Sequence, residues 1–262
     1  MSKTAVSRTL LLAFLLLAMV ITASAQPREV GVSEGNWFMY GDIAVSWNSN
    51  DPGATFPPPY WEWLERLNET VWMSYSVEAI SDPNVTCQAT EYFRNGSDKV
   101  RSGWIDIDTG DSSEETNETA DMTTMVISAD LNENDTIYSS VEFSSWKINE
   151  TVIRTYPDVT RDTNHLNMTT EYSMSNGIEI YYYMSMNYYW DRSTGVIVEW
   201  STGSIEQTGE NLTTWSALIR ITDSDVWVVP EFPGLTSVLV TLIVLTTAAT
   251  ICKRKTLKTL VH

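Results

Sequence analysis

The chain has 262 residues, with 34 Asp and Glu against 16 Lys and Arg and a formal net charge of −18. All 34 acids but only ten of the bases lie between Gln26 and Gly234; so negative a surface repels nucleic acid and anionic headgroups, which excludes nucleic acid as a partner. The two cysteines, Cys87 and Cys252, exclude a disulfide scaffold, so packing alone must hold the fold, and Cys87 reads as a small buried apolar residue.

In chain order, Lys3 and Arg8 precede an apolar run from Leu10, and Ala23-Ser24-Ala25 supplies a small-x-small cleavage site. Residues 1–25 therefore read as a signal peptide, a substrate of signal peptidase. A strand follows over 36–47, interrupted at Gly41-Asp42 in the manner of a bulge. The loop 48–59 carries four prolines, and Pro58-Pro59 start a short helix over Tyr60–Leu67. Residues 71–80 alternate again, with Val71, Met73, Tyr75, Val77 and Ala79 on one face. Val85–Arg94 and Lys99–Asp108 form a hairpin through Asn95-Gly96, with Arg101, Gly103, Ile105 and Ile107 sharing a face. Residues 109–121 have no apolar pattern and read as an exposed acidic loop. A strand is expected over Met122–Leu131, a turn at Asn132–Asp135, and strands at 149–156 and His165–Met174; 137–148 is ambiguous.

The strongest pattern is Gly177–Thr208, two strands about the turn Asp191-Arg192-Ser193-Thr194-Gly195. Asp191 can bond its own backbone there, and Gly195 can take a positive φ. Tyr182, Met184, Met186, Tyr188 and Trp190 fall on one face, and Tyr181, Tyr183, Ser185, Asn187 and Tyr189 on the other. With both faces aromatic, the favoured reading is an aromatic-rich core that stands in for the absent disulfides; the alternative is that one side packs and the other lines a groove. The candidate ligand groove is Tyr182, Met184, Met186, Tyr188 and Trp190 with Trp200. Strands over Thr214–Ile221 and Val226–Val229 complete the series. Nine or ten strands predict a mainly β fold: a large curved antiparallel sheet or half-open β-barrel, with a short helix and a C-terminal transmembrane helix.

That last helix is residues 235–252, eighteen uncharged residues, roughly 27 Å long and enough to cross a bilayer. Lys253, Arg254, Lys255 and Lys258 hold the tail 253–262 inside and place 26–234 outside. The expected layout is a signal peptide, an extracellular β-rich domain over 26–229, a stalk or sorting motif over 230–234, a single membrane span and a cytoplasmic tail. Eight glycosylation sequons agree with export, at Asn68, Asn84, Asn95, Asn117, Asn134, Asn149, Asn167 and Asn211.

No His-Glu-x-x-His, Gly-x-Ser-x-Gly, phosphate loop or CxxC occurs. His165 is the only histidine before the span and lacks a spaced partner, and the Glu62/Glu65 pair is of a kind any acidic chain produces. Asp106, Asp108 and Asp111 make an oxygen cluster attractive to a hard cation but depart from EF-hand spacing. No catalytic residue, metal or cofactor is therefore predicted. The sequence points to a non-catalytic binding module for a lipid, glycan or peptide. The alternatives are a structural envelope or adhesion protein, and an exported hydrolase.

Two resemblances extend this reading. Pro230-Glu231-Phe232 before an apolar span and Lys253-Arg254-Lys255 resembles the archaeal PEF-type sorting signal, which implies recognition by an archaeosortase and replacement of the span by a lipid anchor. The strings YGDI (40–43), INET (148–151), NHLNMT (164–169) and YWDRSTGVIVE (189–199) resemble uncharacterised archaeal secreted surface proteins. The last string is also similar to the Asp-x-x-Thr-Gly hairpin of bacterial lipoprotein-carrier and sensor domains, which implies a half-open barrel holding acyl chains.

Overall fold

The computed structural model describes residues 28–57, 62–113, 124–156, 159–175 and 179–226. The expected signal peptide, stalk, span and tail lie outside these residues, as does the sequon at Asn117. Among the described residues no helix is long and apolar enough to cross a membrane.

Among the described residues, nine strands make one open antiparallel sheet: β1 (Trp37–Ser49), β2 (Thr70–Ser81), β3 (Asn84–Phe93), β4 (Asp98–Asp106), β5 (Glu150–Tyr156), β6 (Val159–Ser175), β7 (Glu179–Asp191), β8 (Ile197–Thr208) and β9 (Asn211–Ser224). A helix, α1 (Glu62–Glu69), lies between β1 and β2. The spatial order is β4-β3-β2-β1-β9-β8-β7-β6-β5. Two runs of hairpins, β1–β4 and β5–β9, thus meet where the first strand pairs with the last, and β4 and β5 form the outer edges of an unclosed sheet. The expected bulge in β1 is present as register shifts around Tyr40, and the hairpin through Asn95-Gly96 is present with Gly96 at φ +85°.

Alternation dictates a buried inner face. Phe38 and Tyr40 of β1, Met73, Tyr75 and Val77 of β2, Val85, Cys87 and Ala89 of β3, and Trp215, Ala217 and Ile221 of β9 are all buried. Val71 breaks the expected phase and is 42% exposed, because the register slips between Thr70 and Trp72 and a one-residue slip reverses the faces. Two elements cover the inner face. One is α1, which buries Leu64 and Leu67. The other is the connection from β4 to β5, which runs from one sheet edge to the other.

This connection corrects the expected strand over 122–131. Among its described residues, Val126–Ala129 are buried in succession instead of alternating, because the segment lies across the sheet and not within it. Its one bridge here is Val126 to Val196. Its amides bond to whatever lies beneath: Ile127 N to Gly195 O at 2.9 Å, Ala129 N to Glu29 O at 2.9 Å and Asp130 N to Arg192 O at 2.7 Å. The ambiguous 137–148 stretch is likewise irregular, with Ile137, Tyr138 and Ile148 buried. Arg28 fastens the N-terminal strap onto it, donating to Ile137 O and to Thr136 O and pairing with Asp108 at 3.2 Å. Val226, expected to open a final strand, lies past the end of β9.

The outer face is polar where the inner one is apolar. Buried Glu199 accepts from Arg154 and from Arg220 at 2.8–2.9 Å, and Arg220 also reaches Asp42 at 3.0 Å. The Arg154 guanidinium lies 4.0 Å over the Tyr189 ring, which stacks on His165 on its own face of the sheet.

Candidate binding cavity

Helix α1 places the acids Glu62 and Glu65 in its first turn and Arg66 in its last, each suited to the helix dipole. With Leu64 and Leu67 directed into the core, Trp63 reaches over the sheet, its ring edge-on to Trp200 at 5.7 Å and to Trp215 at 5.9 Å. From the other side the connection contributes Trp146, the middle of a chain of rings. Tyr138 meets Phe143 at 5.1 Å, Phe143 meets Trp146 at 5.0 Å, Trp146 meets Tyr188 at 6.0 Å, and Tyr188 stacks on Trp190 at 5.4 Å.

Between these two covers and the sheet lies a cavity of about 400 Å³, lined by the rings of Tyr40, Trp63, Tyr75, Trp146, Tyr188 and Trp200 and by Met73 and Met125. That volume falls within the usual range for small-molecule sites, and the wall mixes apolar side chains with polar ones, among them Arg66, Thr70, Glu91, Arg101 and Thr124. Tyr40 donates its hydroxyl to Ile197 O at 2.7 Å, and burial, followed by the nearby Tyr75 and Cys87, pushes its ionisation well above the ordinary tyrosine range.

One part of the wall is charged. Glu91 and Arg101 stand on adjacent strands β3 and β4 with their side chains on the inner face, 4% and 5% exposed. Arg101 Nη2 donates to Glu91 Oε1, and Arg66 Nε of α1 approaches Glu91 Oε2 at 3.8 Å. Thr70, also in the wall, donates its hydroxyl to the Arg66 carbonyl at 2.8 Å. Arg101 Nε and Glu91 Oε2 are buried with no hydrogen-bond partner. A buried ion pair is costly to desolvate and seldom improves on apolar packing, so stability alone gives no reason for this one.

Of the six residues expected to line a groove, Tyr188 and Trp200 border this cavity. Trp190 is fully buried, its Nε1 donating to Thr124 O at 2.8 Å. Tyr182, Met184 and Met186 share the inner face but are not in the cavity wall; Met168 and Met186 pair across β6 and β7, and Tyr172 stacks on Tyr182 at 5.1 Å. The residues that sequence reasoning missed are Trp63, Trp146, Arg66, Glu91 and Arg101. For the last two a signal existed, since Glu91 continues the buried phase of Val85, Cys87 and Ala89, and Arg101 that of Ile105.

The other candidates have structural surroundings. His165 bonds Glu150 through Nδ1 at 3.0 Å and Asn187 through Nε2 at 3.1 Å. Glu62 and Glu65 are exposed on α1. Asp106 Oδ1 accepts from the amides of Asp108 and Thr109, Asp111 accepts from the Thr109 hydroxyl, and no group of three metal-ligating side chains occurs among the described residues. Cys87 is a free, buried thiol. Asn95, Asn134, Asn149, Asn167 and Asn211 are exposed and Asn68 and Asn84 half-buried. No protein-family model matches the chain, and no curated protein is significantly similar to it.

Proposed function

We propose that the chain is a non-catalytic binding module held at the outer surface of a cell membrane, and that its ligand is a lipid seated in the cavity beneath α1. The observation that carries this reading is the wall itself: six aromatic rings and two methionines around about 400 Å³, with the charged groups confined to one part. Aromatic and methionine side chains give an apolar chain large contact areas that tolerate its bending. The surface location rests on the sequence signals at 1–25, 230–234 and 235–252 and on the sequons, and anchoring is by the span or by an archaeosortase-made lipid anchor.

Native mass spectrometry of the purified full-length protein, before and after delipidation, tests the ligand. The expected result is an adduct of lipid mass that delipidation removes, together with a fall in thermal stability. No adduct, with no change in stability, would reject the module in favour of a structural envelope role. Protease added to intact cells tests the location and should remove the β-rich domain while sparing a tag placed after His262.

A further inference from the structure

We infer that a second copy of the chain pairs with the free edge of β6, the two strands running antiparallel about a two-fold axis at Tyr172. The edge exists because β6 outlasts its neighbour. β5 pairs with β6 as far as His165, while β6 runs on to Ser175 with β7 beside it throughout, Ser175 opposite Glu179. Two bonds fix which way the backbone groups point: Arg192 N donates to Asp162 O on the β7 side, and Asn149 N donates to His165 O on the β5 side. Even-numbered residues of β6 therefore turn their amides and carbonyls to β7, and Thr169, Glu171, Ser173 and Ser175 turn theirs outward. Among the described residues no strand flanks that stretch on its outward side. Every residue from Thr169 to Ser175 is also exposed, Tyr172 by 46% and Met174 by 56%. Sheets usually guard such an edge with charge, proline or a cover. Ser112 bridges to Ile105 of β4, and β5 carries Glu150 and Arg154. Asn167–Ser175, read as NMTTEYSMS, has no proline, no basic residue and a single acid, Glu171.

This edge is complementary to its own copy. With Tyr172 facing Tyr172 in a non-hydrogen-bonded pair, Glu171 exchanges both backbone bonds with Ser173 of the other copy, and Thr169 does so with Ser175. Tyr172 already stacks on Tyr182 of β7 at 5.1 Å, so the two copies continue one ladder of tyrosines across the axis. Neighbouring registers fail. An axis at Glu171 sets two carboxylates directly opposite each other. An axis at Thr170 drives Glu150, which is level with His165, into the end of the other copy's β6 at Ser175. With the axis at Tyr172, β5 begins beyond Ser175, so the step left by the short strand is long enough for the overhang that enters it. Asn167, the sequon residue on this edge, then lies outside the paired stretch. A second copy also carries β7 behind the incoming strand, whereas an isolated peptide would leave a new bare edge.

Sedimentation of the full-length protein in a non-ionic detergent, at about 0.1 M and about 1 M salt, tests this. The expected result is a monomer–dimer equilibrium that salt strengthens, because each copy carries a formal net charge of −18 while the strands join through backbone bonds. Ser173→Pro removes an outward amide, a change an edge strand tolerates; it should weaken the dimer at least about tenfold and leave the urea midpoint unchanged. Tyr172→Cys, made in Cys252→Ser, should give a disulfide-linked dimer on mild oxidation, since a non-hydrogen-bonded pair brings its Cα atoms within disulfide reach. Thr170→Cys, which faces Met174 in this register, should not. The cross-link decides the question even if Ser173→Pro fails to fold. A monomer at every concentration reached, a dimer that salt dissociates, or a dimer unchanged by Ser173→Pro overturns the pairing, and equal linking at Thr170 and Tyr172 overturns the register.

Discussion

Gly195 is the point at which the β7–β8 turn and the cross-sheet connection touch, and Gly195→Ala measures what that contact contributes. The glycine sits at φ +71°, and an added Cβ would lie 2.0 Å from Ile127 O and 2.9 Å from Ile127 C. The left-handed conformation alone costs a residue with a Cβ about 1–2 kcal/mol. The clash is with backbone, so no side chain can rotate away, and the two segments must part by about 1 Å or more to reach ordinary contact. That separation breaks Ile127 N to Gly195 O at 2.9 Å and strains Ile197 N to Met125 O at 3.0 Å, worth about 1 kcal/mol each. The expected total is about 3–5 kcal/mol, a large share of the stability of an ordinary domain. Gly35→Ala is the control, for Gly35 is at φ +86° with nothing within 4 Å of its added Cβ; it should show the conformational cost alone. Urea melts followed by tryptophan fluorescence give the two stabilities, and amide exchange at Ile127 and Ile197 locates the damage. Equal losses in the two variants, with Ile127 still protected in Gly195→Ala, would refute the close-contact argument.

Tyr188→Ala should cost about 3–5 kcal/mol in the same melts, because the ring is 7% exposed and stacked on Trp190, and it should also reduce retention of any co-purified lipid. Glu91→Ala should cost about 3–5 kcal/mol by stranding a buried Arg101, whereas Glu91→Leu combined with Arg101→Leu should recover most of that loss; a double variant no better than the single one would contradict this. Stability should fall at alkaline pH. Burial, and secondarily Glu78, pushes the Cys87 thiol up to about 12 from 9.0, so the neutral thiol is the form the fold favours. Its contribution is fully present below pH 9 and is lost as pH rises through about 12. Burial acts in the same direction on Tyr40 and Tyr156, and Cys87→Ala should flatten the decline over that window. Iodoacetamide should accordingly label Cys87 only after unfolding.

The strands were legible because each carries its own period of two, and the tight turns because Asn95-Gly96 and Asp191–Gly195 carry their chemistry locally. Asp191 Oδ1 does accept from the Thr194 amide and from the hydroxyls of Ser193 and Thr194. Pairing of β1 with β9 was not legible, since no local pattern states which distant strand lies alongside. Nor was the course of 124–149, because apolar residues that roof a sheet answer to what lies beneath them and keep no period. The groove was half legible for a related reason. The face carrying Tyr188 and Trp190 could be read, but whether a ring on it borders space, as Tyr188 does, or is fully buried, as Trp190 is, depends on the cover. Trp63 required the docking of the helix, a tertiary fact, whereas the buried phase of Glu91 and Arg101 was written in β3 and β4 and their nearness in the Asn95-Gly96 hairpin.

The junction of the first strand with the last bears on how the chain is made. Trp37 N bonds Asp225 Oδ1 at 2.6 Å across 188 residues of sequence, so the middle of the sheet is the last part a ribosome can complete. Until Asn211 onward emerges, β1 presents a bare strand edge carrying Phe38 and Tyr40, the kind of surface that recruits the wrong partner. A truncation before β9 is therefore expected to aggregate as a whole, where loss of an outer strand such as β5 would leave the seam intact.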